Sequence, residues 1–90
     1  MANHKSALKR IRQNEVRRLR HRTQRGHMRA AIKAVRTALE EGKLKEAKGL
    51  LHTANALIDS TASKGVLHRN TASRRISRLT RAYNKALAAN

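Results

Sequence analysis

The 90-residue chain contains no cysteine, proline, tryptophan or phenylalanine, and tyrosine occurs once. Without cysteine it can form neither a disulfide nor a zinc-finger pattern. No apolar run approaches the ~18 residues that a membrane helix needs, so we expect no membrane partner. The N-terminus lacks the apolar stretch of a secretory signal. Its arginine-rich, acid-poor character also fits a mitochondrial transit peptide, but the same pattern recurs at the far end of the chain.

Residues that could support catalysis or bind a metal are scarce. No two of the five histidines are four residues apart, which argues against a metal site; they are His4, His21, His27, His52 and His68. Glu40 and Glu41 are adjacent near a predicted helix end and do not form a poised acid–base pair. There is no glycine-rich phosphate loop. We therefore predict no enzymatic activity, no cofactor, no metal and no small-molecule substrate.

Positive charge is the dominant feature of the chain, and its distribution is uneven. The net charge is +17, from 22 Lys or Arg against five acids. Residues 5–36 hold twelve basic residues and one acid, Glu15, and residues 69–85 hold six basic residues and no acid, whereas residues 37–68 are balanced. A generically solvated surface would spread the charge more evenly. A one-sided basic surface is typical of nucleic-acid binding, because neutralising phosphates releases condensed counterions.

The first basic stretch consists mostly of good helix formers and predicts one long helix, or two halves joined near Gly26. Asn3 or Ser6 could cap its start. Up to Arg25 the basic residues surround the helix, which is not the pattern of a core helix. Beyond Gly26 the spacing changes to an apolar stripe formed by Met28, Ile32, Val35 and Leu39. Either the helix kinks near Gly26, or only its second half packs while the first projects away.

Two further helices are predicted from glycine stops and apolar periodicity. Gly42 should end the first helix, and a second helix should span about residues 43–63 and end at Gly65. Asn70 should cap a third helix over about residues 71–88. Each of these helices has an apolar face. On the third helix, the basic residues lie nearly opposite that face; they are Arg74, Arg78, Arg81 and Lys85.

These elements predict an all-α protein, a three-helix bundle with a long, basic, projecting N-terminal helix. Ninety residues suffice for one small domain with a modest core. We expect a single nucleic-acid-binding domain over residues 1–90, in which residues 5–25 form the basic arm of the first helix and residues 26–90 form the bundle. We also expect residues 1–25 to be disordered in the free protein at low salt.

The kind of nucleic acid is less clearly indicated. Tyr83, the one aromatic residue, lies in an apolar stripe, where core packing is more natural than base stacking. No helix-turn-helix, zinc finger or basic zipper is evident. Recognition of backbone and shape suits folded RNA, but also a histone-like DNA-compacting protein. A third alternative, a basic regulator that docks on an acidic protein, would need an exposed apolar anchor, and none is obvious.

Two stretches resemble a known family. Residues 2–13, ANHKSALKRIRQ, and residues 62–75, ASKGVLHRNTASRR, are similar to the bacterial small-subunit (30S) ribosomal protein S-twenty family, and the second stretch is the more specific. The similarity extends over the whole chain. It implies a three-helix bundle with a long first helix, in the ribosome of the cytoplasm. It also implies direct binding to 16S ribosomal RNA, at the 5′ domain and the long helix near the 3′ end, beside other small-subunit components.

The resemblance also implies which residues face the RNA. In the first helix they are Lys5, Lys9, Arg10, Arg12, Arg17, Arg18, Arg20, Arg22, Arg25 and Arg29. From the second stretch come Lys64, His68, Arg69, Asn70, Arg74, Arg75 and Arg78. The expected role is to neutralise phosphates and clamp neighbouring RNA helices. Relatives often carry Asp after the glycine of the first turn, whereas Lys43 follows Gly42 here, so that helix cap is lost. Relatives also often have an aromatic residue where Ala31 and Ala34 stand.

Overall fold

The computed structural model describes the backbone of residues 2–89 and the side chains of residues 5–89. Helix α1 spans Ala2–Glu40, α2 spans Leu44–Ser63 and α3 spans Arg69–Ala89, and no strand occurs in this part of the chain. The prediction of an all-α, three-helix fold is confirmed. Within the described residues, no helix is long and apolar enough to cross a membrane.

Helix α1 is one continuous helix of 39 residues that passes through Gly26 without a break. At ~1.5 Å per residue it is about 58 Å long, which accounts for most of the 68 Å length of a molecule only 22 and 14 Å across. It begins at Ala2, so Asn3 and Ser6 lie inside it and the predicted caps at these positions are wrong. The good helix formers that surround them extend the helix past both potential caps.

The helix ends predicted at two glycines are confirmed. Gly42 has φ +75° and Gly65 has φ +77°, in the left-handed region that glycine adopts with least strain. The N–H of Gly42 donates to the carbonyl of Leu39 at 3.2 Å, and the N–H of Lys43 donates to the carbonyl of Ala38 at 2.9 Å. At the second turn the N–H of Gly65 donates to the carbonyl of Ala62 at 3.0 Å, and the N–H of Val66 donates to the carbonyl of Thr61 at 3.1 Å. Both helices therefore end in a Schellman motif, which satisfies carbonyls that would otherwise lack partners.

The start of α2 lacks a side-chain cap, as the replacement of Asp by Lys predicts. Lys43 occupies the N-cap position, and its side chain makes no capping hydrogen bond. Its ammonium instead lies 3.3 Å from the carboxylate of Glu41, and both side chains are more than half exposed. An exposed ion pair of this kind contributes little to stability.

The start of α3 differs from the prediction. The helix begins at Arg69, so Asn70 lies in its first turn and is not the N-cap. His68 holds the cap position instead. Its carbonyl accepts a hydrogen bond from the N–H of Ala72 at 3.0 Å, and its Nδ1 accepts one from the N–H of Asn70 at 3.1 Å. Asn70 therefore uses its backbone, and not its side chain, in starting the helix.

The core lies between the second half of α1 and the facing sides of α2 and α3. Its buried apolar side chains are Met28, Val35, Leu51, Ala54, Ile58, Ala72 and Leu79. Ile32 and Leu39 complete the predicted α1 stripe as half-buried neighbours of this core, and Tyr83 packs against it as predicted. Helix α2 makes extensive contacts with both other helices, whereas α1 and α3 touch each other least.

The first half of α1 extends beyond the bundle. No side chain among residues 5–25 is buried, while His21 and Gln24 are half-buried and Met28 is fully buried. Only the second half of the helix packs, which is one of the two expected arrangements. Four large apolar side chains of the projecting half are 48–61% exposed: Leu8, Ile11, Val16 and Leu19. No exposed apolar anchor was obvious from the sequence, and these four side chains are exposed because this part of α1 has no partner helix beside it.

Candidate nucleic-acid interface

Uninterrupted α1 carries arginines from both of its halves on one face. A turn of ~100° per residue brings positions three, four and seven apart to nearly the same side of a helix. Five exposed arginines follow this spacing and form what we call the arginine ridge: Arg18, Arg22, Arg25, Arg29 and Arg36. A kink at Gly26 would have divided the ridge. The continuous helix instead joins the basic arm to the bundle along a single line of charge.

The other predicted residues of the arm occupy the remaining faces of α1. All of them are exposed: Lys5, Lys9, Arg10, Arg12, Arg17 and Arg20. Glu15, the one acid of the arm, lines a shallow groove with Arg18, Leu19, Arg22 and Arg25. Lys43–Glu41 is the only ion pair among the side chains of residues 5–89, so none of these arm residues is paired with an acid. Phosphates can therefore approach the arm from every side.

A cleft of about 320 Å³ between α1 and α3 contains basic residues from both helices. Its lining includes four arginines, which we call the arginine cleft: Arg36, Arg74, Arg75 and Arg78. Ile32, Thr71 and Leu79 complete the lining. Arg75 is half-buried and the other three arginines are exposed. A concave site with several guanidinium groups suits a phosphate, because each planar fork can donate two parallel hydrogen bonds to its oxygens.

The structure brings three of the predicted residues, Arg74, Arg75 and Arg78, to Arg36, which was not predicted. The sequence does contain a signal for Arg36, because it lies seven residues after Arg29, two helical turns further along the same face. What the sequence alone could not show is that Arg36 lines a cleft together with α3, since the residues that share the cleft are about forty positions apart.

The remaining predicted residues lie around the connection between α2 and α3. All are exposed: Lys64, His68, Arg69 and Asn70. Because Nδ1 of His68 accepts the hydrogen bond from Asn70, a neutral imidazole in this arrangement has its proton on Nε2, which can donate to a phosphate. The dipole of α3 adds partial positive charge at this end of the helix.

The predicted residues thus lie in three places, namely α1 from Lys5 to Arg29, the arginine cleft and the connection that leads into α3. They do not form one compact patch, since residues 5 and 29 of α1 are separated by about 36 Å at ~1.5 Å per residue. Among the described residues, no group of three or more His, Asp or Glu side chains is arranged to hold a metal. The candidate interface is therefore extended, and its side chains are mainly cationic hydrogen-bond donors.

A basic arm without acidic partners and an arginine-lined cleft are features typical of small helical proteins that bind the phosphates of nucleic acid. The model of the family described as "Ribosomal protein S20" matches residues 2–84, so the chain belongs to that family. Its members are structural components of the ribosome and not enzymes.

Relatives from two bacteria illustrate how far the similarity extends. The protein from Desulforapulum autotrophicum is 56% identical over 81 residues, which cover 90% of this chain and 96% of the relative. The protein from Desulfotalea psychrophila is 49% identical over 89 residues, covering 99% of this chain and all of the relative. Both are named "Small ribosomal subunit protein bS20". The chain therefore matches these relatives along almost their whole length.

Proposed function

We propose that this protein is a structural constituent of the small ribosomal subunit that binds 16S ribosomal RNA directly and clamps neighbouring RNA helices by neutralising their phosphates. The observation that carries the proposal is the position of the charge. Basic side chains without acidic partners line α1 and α3, whereas α2 belongs to the balanced part of the chain. The names of the relatives support a place in the small ribosomal subunit, and the resemblance described above supports 16S ribosomal RNA as the binding partner.

The mechanism follows from the shape of the molecule. The bundle provides a rigid base, and the arm extends from it with basic side chains on all faces. RNA helices repel each other through their phosphates, and a rod of guanidinium groups placed between them reduces this repulsion. The arginine cleft and the start of α3 bind a further part of the RNA. One small protein can therefore contact RNA segments that are tens of ångströms apart.

The division of labour within the chain is part of this proposal. The chain acts as one RNA-binding domain, residues 1–90, with residues 5–25 as the arm and residues 26–90 as the bundle. The RNA segments are the 5′ domain and the long helix near the 3′ end, in ribosomes of the cytoplasm and beside other small-subunit components. Tyr83, the single aromatic residue, packs against the core, so it is not available to stack on bases. We therefore infer that recognition relies on the backbone and shape of the RNA.

Competition binding tests this proposal. A 16S 5′-domain transcript and duplex DNA of equal phosphate count compete for the full chain at physiological salt and at twice that concentration. We expect a preference for the RNA that persists at the higher salt, since contacts specific to the RNA's shape remain after counterion release has been weakened. Equal binding of both nucleic acids, lost in parallel as salt rises, would contradict the proposal and favour a DNA-compacting protein.

A further inference from the structure

The arginine cleft concentrates positive charge that nothing in the structure balances. Four guanidinium groups line about 320 Å³, and no acidic side chain takes part in the lining. The only ion pair among residues 5–89 lies at the α1–α2 turn, between Lys43 and Glu41. Like charges that share one cleft repel each other, and exposure of Arg36, Arg74 and Arg78 to water weakens this repulsion without removing it. The cleft also lies between α1 and α3, the pair of helices with the least mutual contact.

We propose that the arginine cleft holds one phosphodiester group of the bound RNA between α1 and α3, with Arg36 supplying the α1 side of the clamp. The proposal rests on the proposed function and adds to it a residue, a site and a consequence for folding. Arg36 donates to the phosphate from one wall, and Arg74, Arg75 and Arg78 donate from the other. Arg75 is half-buried, so of the four arginines its guanidinium group is the least accessible to water.

Closing the cleft on an anion stabilises the fold as well as the complex. The anion replaces repulsion between α1 and α3 with hydrogen bonds to both helices, and a ligand that binds only the folded state raises its stability. In the free protein, by contrast, Arg36 adds to the repulsion. Removing it should therefore raise the melting temperature of the free protein while it weakens binding of the anion. A residue with a purely structural role would not show these opposite effects.

Thermal unfolding of the full chain, followed by circular dichroism, tests the site with inorganic pyrophosphate as the probe. Each sample is compared with sodium chloride at the same ionic strength. The variants are Arg36→Gln, Arg36→Lys, which keeps the charge but not the planar fork, and Lys33→Gln as the control. Lys33 is exposed on α1 and lines a different groove, on the side of α2. Its replacement removes the same charge from the same helix outside the cleft.

We expect pyrophosphate at about ten times its dissociation constant to raise the melting temperature of the wild-type protein and of Lys33→Gln by roughly 5–10 °C. Arg36→Gln should lose most of this shift and should melt higher than wild type in chloride, and Arg36→Lys should respond weakly. Phosphate-type anions also stabilise proteins by exclusion from the surface, but that effect is shared by all variants. An equal shift in wild type, Arg36→Gln and Lys33→Gln would overturn the proposal.

RNA binding by the same variants separates this proposal from the proposed function. Arg36→Gln should weaken binding of the 16S 5′-domain transcript roughly tenfold, because it removes a charge-assisted hydrogen bond, and by clearly more than Lys33→Gln. If the wild-type protein shows no preference for the transcript over DNA, the proposed function fails. If it does prefer the transcript but Arg36→Gln and Lys33→Gln weaken binding equally, only the clamp in the cleft is wrong.

Discussion

Nδ1 of His68 accepts a hydrogen bond from the backbone N–H of Asn70 at 3.1 Å, and this contact defines the first turn of α3. An imidazole nitrogen here takes the place of the hydroxyl or carboxylate oxygen that usually caps a helix. The contact lies at the start of α3, whereas the apolar residues further along the helix, such as Ala72 and Leu79, decide which side of it packs against the core. His68 immediately precedes α3, the helix that carries Arg74 and Arg78 of the arginine cleft.

Replacing His68 tests the cap. His68→Ala should lower the free energy of unfolding by about 1 kcal/mol, because the N–H of Asn70 loses its acceptor. His68→Asn should retain most of the stability, since its amide oxygen can accept the same bond. Urea unfolding of the three proteins measures the difference. Equal losses in both variants would show that the ring packs rather than caps. If Nε2 also contacts RNA, His68→Asn should bind RNA more weakly despite its stability.

Two glycines in neighbouring parts of the fold should respond to alanine in opposite ways. Gly42 has φ +75°, where a Cβ costs roughly 1–2 kcal/mol, so Gly42→Ala should destabilise the protein. Gly49 lies inside α2, and an added Cβ would meet nothing within 4 Å, so Gly49→Ala should stabilise it by about 0.5–1 kcal/mol. Thermal unfolding under identical conditions gives both values. Shifts of the same sign would contradict this assignment of backbone roles.

The sequence was informative about the helix ends at which glycine is required. Gly42 and Gly65 could be identified as helix ends because glycine alone adopts their backbone angles cheaply. The start of α3 was misplaced because histidine is not among the common cap residues, and a ring nitrogen as acceptor leaves no sequence pattern. Arg36 was missed because its partners are on α3 and come together only through tertiary packing. Exposure of Leu19 likewise depends on where the bundle ends, which helical periodicity does not define.

Salt dependence tests whether the arginines of α3 contact phosphates. Arg74→Ala and Arg78→Ala should each weaken RNA binding and reduce the slope of log K against log salt by about one unit, since one fewer counterion is released. Lys48→Ala is a suitable control, because Lys48 is exposed on α2, in the balanced part of the chain. Binding constants measured at four or more salt concentrations give the slopes. An unchanged slope for both arginine variants would mean that this face is ordinary solvated surface.

The arm should be poorly ordered until RNA neutralises it. Residues 5–20 are all exposed, and only His21 and Gln24 are half-buried further along the arm, so the helix over most of residues 5–25 depends on local interactions. Those interactions are unfavourable, because like charges three or four positions apart, such as Arg18 and Arg22, each cost a few tenths of a kcal/mol. Amides of residues 5–25 should therefore exchange rapidly with solvent in the free protein at low salt, while those near Val35 and Ile58 exchange slowly.

Binding of RNA should reverse this behaviour of the arm. Phosphates screen the repulsion and pair with the guanidinium groups, so the helix seen in the structure becomes stable over its full length. Hydrogen exchange with and without the 16S 5′-domain transcript measures the change. The Gly26→Ala variant is measured in the same way, without RNA. Open space surrounds Gly26, so alanine there should extend slow exchange from the bundle into the arm without RNA. Slow exchange of residues 5–25 in the free wild-type protein would show that the arm is preformed and that RNA binding requires no folding.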